Sequence, residues 1–429
     1  MIVELRIDSL VFGGNGIGRL DGKAIFVPLT APGDQIRCRI VRDKGRWAEA
    51  ELVEILAPAP ERIIPPCPVF GLCGGCQWQF LPYDVQAQWK ERIYRDLLQR
   101  QAGVAPENIL PIVPAPAPFA YRSRVQFKCC NSATGFILGF FRRGSHVVEG
   151  ISACPLLPKE LNGLLPRLKS TITGSSLAGQ IPQIDAGIDD RGKVRLVVHA
   201  LGNAAPEVAK LLQPLAISEE FALFVQSGGR EGGLKHIYGE EDLVISCDTP
   251  PLTLAYKAGG FSQINLEQNR TLVNAVLAAA ELHGTERVLD LYCGMGNFSL
   301  PLARRCAEVV GVEDYAPSIL QAKSNARHNG LNNIRFHARP AAGALRAYGQ
   351  DAPFDLVVLD PPREGANDVC RELIELSSPR ILYISCDPAT QARDLKTLLN
   401  HGYRCLSAQP FDFFPQTHHI ESLAILARS

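Results

Sequence analysis

No apolar run in the 429 residues approaches the roughly 18 needed to cross a bilayer as a helix. The chain enters charged sequence at Met1-Ile2-Val3-Glu4 without the apolar stretch of a cleavable signal, so a cytoplasmic protein without a membrane span is expected. Net charge is missing too, because 44 basic residues balance 44 acidic ones. A polyanionic partner therefore has to be met by local basic surface, and the overall balance says nothing for or against it. Composition is otherwise ordinary: 46% hydrophobic and 21% charged residues suit a globular chain of two or three domains with a sizeable core. A monomer is expected.

Cysteine is the exception to this plainness. Thirteen cysteines in a chain with no secretion signal, and an odd total, argue against a fully paired disulfide framework. Cys247, Cys306 and Cys405 lie in apolar stretches and read as small core residues. Cys67, Cys73 and Cys76 instead crowd around Gly74-Gly75, with Cys154-Pro155 as a fourth candidate. Thiols so close together in a reducing compartment point to metal ligation. Zinc is one reading, but the uneven spacing, the glycine pair and the trailing Cys-Pro favour an iron-sulfur ligand set.

Three segments follow from the rhythm of the chain. Residues 1–57 alternate short β-branched runs with glycine turns such as Gly13-Gly14-Asn15-Gly16, the pattern of a small OB-like antiparallel barrel that binds RNA. Arg37, Arg39, Arg42, Lys44 and Arg46 crowd one hairpin of it, either as a nucleic-acid surface or as solvated edge charges. Residues 58–260 hold the cysteine set, a helix from Tyr83 to about Gln101 with Val85, Trp89, Ile93 and Leu97 at helical spacing, and then strand-like pieces of a mainly β, antiparallel domain. No acid occurs between Phe119 and Val148, where Arg122, Arg124, Lys128, Arg142 and Arg143 interleave with Tyr121, Phe127, Phe136, Phe140 and Phe141. Such a stretch fits single-stranded RNA, and equally a strand with buried rings and exposed arginines. Residues 261–429 change to strand-helix alternation, which predicts an α/β, doubly wound, Rossmann-like sheet with its ligands at the carboxyl ends of the strands.

The candidate chemistry lies at those ends. Val288 to Phe298 reads as a strand entering a glycine turn and a helix; the third glycine of a dinucleotide site is replaced by Ser299. With Glu313 at the end of the next strand, placed to accept ribose hydroxyls, the turn favours S-adenosylmethionine over NAD. Asp360-Pro361-Pro362 ends another strand, and Arg363 stands where amino-methyltransferases carry an aromatic. Cys386 follows a further strand, with Glu421 close behind in Phe414-Pro415-Gln416-Thr417-His418-His419-Ile420-Glu421. A thiol and a carboxylic acid at this edge are a candidate nucleophile and a candidate general base. The pair suits methylation at pyrimidine C5, a carbon too weakly nucleophilic to take a methyl group unaided. A thiolate adding at C6 makes C5 an enolate-type nucleophile, and a base must later remove the C5 proton before the thiol can leave.

The motifs Asp290 to Ala303, Asp360 to Ala366, Ile384 to Leu395 and Phe414 to Glu421 together resemble the RNA (uracil-5-)-methyltransferases, and the resemblance covers nearly the whole chain. The cysteine set and an N-terminal segment similar to a TRAM domain point to the branch acting on 23S ribosomal RNA. The resemblance implies Cys386 as nucleophile and Glu421 as the base that removes the C5 proton. It implies an S-adenosylmethionine site lined by Gln263, Tyr292, Asn297, Glu313 and Asp360, and a [4Fe-4S] cluster on Cys67, Cys73, Cys76 and Cys154 that positions RNA or structure and carries no electron in catalysis. Alternatives are a uridine of the transfer-RNA TΨC loop, or a non-catalytic RNA-binding assembly factor. Two positions depart from the family pattern. Arg339-Pro340-Ala341 lacks the acid expected on the adenine, and Asp387 stands where Asn commonly follows the nucleophile. A carboxylate close to the thiol would raise its pKa.

Overall fold

The β-branched N-terminal runs close on themselves. In the computed structural model, which describes all residues except 134, 229–232, 350–352 and 429, strands Ile2–Leu10, Gly16–Leu20, Lys23–Val27, Gln35–Asp43 and Trp47–Ala57 form a closed barrel. Alternate residues point inward, so Leu5, Ile7, Ile25, Val27, Ile36 and Cys38 fill it. The basic hairpin is largely paired with acids on the barrel surface: Arg37 with Glu4 and Glu54, Arg39 with Glu51, and Arg42 with Glu49. These charges serve the barrel wall, which favours the edge-charge reading of that hairpin over a free phosphate-binding patch.

The middle of the chain forms a seven-stranded sheet whose buried face is covered by helices Lys159–Ile172 and Ala205–Ser218. The sheet is mixed, correcting the antiparallel expectation: Val194–Ala200 runs parallel to Ala222–Ser227, with the second helix as the crossover. Phe127 and Phe136 are buried in this core and Phe140 packs against it. Phe127 and Phe136 are core residues and offer no stacking surface.

The C-terminal sheet has the order Ile334–Ala338, Glu308–Glu313, Arg287–Leu291, Leu356–Leu359, Arg380–Ser385, Glu421–Arg428, Tyr403–Phe411. The first five are parallel; the four from Glu308–Glu313 to Arg380–Ser385 are apolar runs buried on both faces, whereas the outermost, Ile334–Ala338, is an edge strand with only Phe336 buried. The order reverses between Arg287–Leu291 and Leu356–Leu359, the switch point where such sheets open a crevice. Two strands that the strand-helix alternation does not announce complete the edge, with Glu421–Arg428 antiparallel between its neighbours. The helix Tyr83–Leu97 packs into this C-terminal core through Val85, Ile93 and Tyr94, together with Trp78 and Phe80.

Candidate active site

The antiparallel pairing Ser385↔Ser422 brings the end of one strand beside the start of the next. Ser422 Oγ donates to the Ser385 carbonyl at 3.3 Å. The register therefore sets Cys386, one residue beyond Ser385, opposite Glu421, one residue before Ser422. Cys386 is half-buried and Glu421 is buried. Burial pushes the Cys386 thiol up to about 12, helped by the negative charges of Glu421 and Asp360 and opposed by Arg363. Burial raises the Glu421 carboxyl well above its usual range, with Asp360 adding to the rise and Arg363 opposing it. Arg363 is thus the cation that faces both groups.

Asp387 contributes least to the Cys386 shift. Its Oδ1 instead accepts from Ala389 N and Thr390 N, at 3.0 and 2.9 Å, and caps the helix Pro388–Leu399. An asparagine can make the same cap, so this departure changes little at the thiol.

The glycine turn lies at the switch point. Tyr292 is held in the left-handed region at φ 65° between its strand and Gly294, a conformation that non-glycine residues adopt at a cost. Gly296 lies at φ 97°, a conformation that favours glycine, and a Cβ there would also sit 2.2 Å from Leu300 Cδ1. Glu313 accepts from Gly294 N at 3.2 Å and from Tyr315 N at 3.0 Å. Asp360 follows its strand at the same crevice, its N–H donating to the Leu291 carbonyl at 3.3 Å. Asn297 exchanges paired amide hydrogen bonds with Asn269, at 2.9 and 3.0 Å. Gln263 is half-buried beside the exposed Phe261, and its carbonyl accepts from Ser123 Oγ at 3.3 Å. Arg339 lies over the Tyr348 ring at 5.1 Å.

Sequence reasoning missed Asp290. It is fully buried and receives a hydrogen bond from Ser299 Oγ, which explains the serine in place of glycine. Its Oδ1 is buried without a partner among the described residues. Burial raises Asp290 to about 7, opposed by the Ser299 bond and reinforced by Asp360 and Glu313. Asp360 is likewise raised to about 7 by burial and by Glu313; burial and Asp314 raise Glu313. The crevice thus gathers carboxyl groups that disfavour one another's ionisation, an arrangement a cationic ligand relieves. The signal in sequence was a lone acid inside the apolar strand Val288-Leu289-Asp290-Leu291.

The four predicted metal cysteines are all free thiols lining one cavity of about 380 Å³, together with Phe70, Arg122, Lys128 and Phe140. Burial pushes Cys76 up to about 12, and the charges of Cys154, Cys73 and Cys67 reinforce the rise. Gly75 N–H points to Cys73 Sγ at 3.4 Å. Among the described residues no three of His, Cys, Asp or Glu are drawn together tightly enough to hold a single metal ion. No described helix is long and apolar enough to cross a membrane.

A Rossmann-like sheet with a thiol, a buried acid and a glycine turn at one edge defines a methyltransferase-type enzyme domain. Residues 113–429 match the family described as tRNA (Uracil-5-)-methyltransferase and residues 2–53 match the TRAM domain. The chain belongs to that enzyme family. It is 36% identical to the 23S rRNA (uracil(1939)-C(5))-methyltransferase RlmD of Alkalilimnicola ehrlichii, over 99% of this chain and 96% of that protein. It is 34% identical to the uncharacterized RNA methyltransferase tlr0942 of Thermosynechococcus vestitus, over 100% of this chain and 98% of that protein. The fold is shared with the crystal structure of the Pyrococcus abyssi tRNA (uracil-54, C5)-methyltransferase in complex with S-adenosyl-L-homocysteine. That likeness has a TM-score of 0.78 at 24% identity and covers 99% of this chain and 100% of that one.

Proposed function

We propose that this protein methylates C5 of a uridine in 23S ribosomal RNA, with Cys386 as covalent nucleophile, Glu421 as base and S-adenosylmethionine as methyl donor. The observation that carries the reading is the strand register that sets the Cys386 thiol against the buried Glu421 carboxyl. Cys386 sulfur bonds to uracil C6, and the C5=C6 electron pair becomes available at C5. S-adenosylmethionine, when bound, supplies an electrophilic methyl carbon to that nucleophile. Glu421 then takes the C5 proton; the C–H pair reforms C5=C6 and the C6–S pair returns to Cys386 as thiolate. Arg363, which opposes the rise of both pKa values, favours the ionised forms that these steps need.

The donor fits the crevice. Gly294, with nothing within 4 Å of where a Cβ would sit, leaves room for close backbone approach, Asp290 Oδ1 is a buried acceptor without a partner among the described residues, and a sulfonium offsets the crowded carboxyl groups. Gln263, Tyr292, Asn297, Glu313 and Asp360 are the proposed contacts. The uracil has to leave its stack for C6 to be reached from the ring face. The ribosomal target follows the full-length relatives carrying that name, against which a transfer-RNA uridine is the alternative.

Cys67, Cys73, Cys76 and Cys154 are proposed to hold a [4Fe-4S] cluster. A tetrahedral zinc needs all its sulfurs at about 2.3 Å. Four thiols spread around one cavity suit a multi-atom cluster better than a single ion, and the Gly75 amide is placed to bond to a ligand sulfur. The test of the whole reading is RNA containing 5-fluorouridine, since fluorine cannot leave as a proton does. A denaturation-resistant protein–RNA adduct lost in Cys386→Ala supports it, and no adduct with active protein overturns it.

A further inference from the structure

The loop Asp412–Ile420, which leads into Glu421, is held largely by residues that lie before the family-matching region. Gln77 N and Trp78 N donate to the Gln416 carbonyl at 3.0 and 3.1 Å. Gln86 and Gln416 exchange two hydrogen bonds of 2.9 Å, from Gln86 Nε2 to Gln416 Oε1 and from Gln416 N to Gln86 Oε1. Lys90 Nζ donates to Asp412 Oδ1 at 2.7 Å and to the Phe414 carbonyl at 3.0 Å. Gln86, Lys90, Asp412 and Gln416 are all at most 2% exposed. Gln416 also sits in the left-handed region at φ 71°, a conformation that persists only where surroundings over-determine it.

Buried amides and a buried ion pair are poor devices for stability alone, because apolar residues of similar volume stabilise as well or better. What they add is direction. The bonds fix the loop at its start, at Asp412, and again at Gln416, five residues before Glu421. Among the described residues, Gln86 and Lys90 make no side-chain bond to the strand that carries Cys386. We infer that Gln86 and Lys90 are positioning residues that hold the Asp412–Ile420 loop so that the Glu421 carboxyl reaches the C5 proton. The inference rests on the covalent mechanism proposed above. Its consequence is a split: loosening the loop impairs proton removal while sulfur attack and methyl transfer proceed.

The test uses full-length Gln86→Leu and the double variant Lys90→Met/Asp412→Leu, which leaves no lone buried charge, each checked for folding by its melting curve. Adduct formation is timed on 5-fluorouridine RNA, and the denaturation-resistant adduct is measured during turnover on uridine RNA with S-adenosylmethionine. Expected are adduct formation within about threefold of the parent, turnover lower by roughly 10- to 100-fold, and a methylated adduct that accumulates on ordinary uridine. The inference is overturned if formation and turnover fall together, or if turnover is unchanged in the folded Gln86→Leu protein. Absence of adduct from the parent protein on 5-fluorouridine RNA would instead overturn the covalent mechanism, and the inference with it.

Discussion

Ser422 Oγ and the Ser385 carbonyl lie 3.3 Å apart, and that bond joins the strands from which Cys386 and Glu421 emerge. A methyltransferase that passes through a carbon–sulfur adduct needs its thiol and its base on a rigid pair, and two hydrogen-bonded strands provide one. Cys386→Ser is expected to abolish both adduct and turnover. Glu421→Gln should keep adduct formation while slowing release by on the order of 10²–10⁴, the range removed with a general base. Gel separation of protein–RNA adducts under denaturing conditions distinguishes the two.

Burial favours the protonated form of both proposed reactive groups in the free protein, pushing the Cys386 thiol up to about 12 and the Glu421 carboxyl well above its usual range. The proposed reaction needs both as anions, so kcat/KM should climb as pH rises from 6 to about 9. Arg363 opposes both shifts, and its removal in Arg363→Met should move the climb to higher pH. A profile that stays flat, or an unmoved limb in the variant, contradicts this account.

The crowded carboxyl groups tie stability to pH. Asp290 and Asp360 have folded values of about 7 against roughly 4 when unfolded. Their preference for the proton stabilises the fold fully below the unfolded value and is lost as pH rises through about 7. Asp290→Asn should therefore stabilise the ligand-free protein more at pH 8 than at pH 5, by a few kcal/mol at most. S-adenosylmethionine, with its sulfonium charge, should raise the melting temperature more at pH 8 than the uncharged-sulfur product does. Urea and thermal midpoints at the two pH values decide both.

The helix cap supplies a quieter prediction. Asp387→Ala removes an acceptor from Ala389 N and Thr390 N and should cost about 1 kcal/mol, whereas Asp387→Asn should leave both stability and turnover near the parent values. A marked change in turnover for the asparagine variant would place the carboxylate in the chemistry.

Iron content and visible absorption test the cysteine cavity. Protein purified without oxygen should carry iron and labile sulfide in equal amounts, and Cys76→Ser or Cys154→Ser should lose both. Stoichiometric zinc in place of iron would overturn the cluster reading.

Four of the five parallel strands were legible in sequence because each is a short apolar run with a functional residue at its end; the fifth, Ile334–Ala338, was not, because Arg335 and His337 interrupt its apolar character. Cys386, Asp360 and Glu313 could be placed at those ends for the same reason. The positioning of Glu421 was not legible, because it depends on two edge strands and a long-range register between Ser385 and Ser422. Gln86 and Lys90 also escaped notice. They fall on the same helical stripe as Ile93 and Leu97, yet polar residues on such a stripe ordinarily mark the helix surface, and their partners lie more than 320 residues away. The aromatic residues between Phe119 and Val148 stayed ambiguous in sequence: alternation along a strand describes stacked bases and buried rings equally well, and the helices covering the sheet decide for Phe127 and Phe136.

The N-terminal barrel touches the same loop. Trp78 Nε1 donates to the Gly14 carbonyl at 3.0 Å, and a Cβ at Gly14 would come within 3.0 Å of His418 Cβ. An RNA strand bound by that barrel through a surface other than the acid-paired hairpin would thus reach the thiol at a set offset, as along a ruler. Shifting the modified uridine by a nucleotide or two from its recognition sequence should silence the substrate altogether, with no gradual decline.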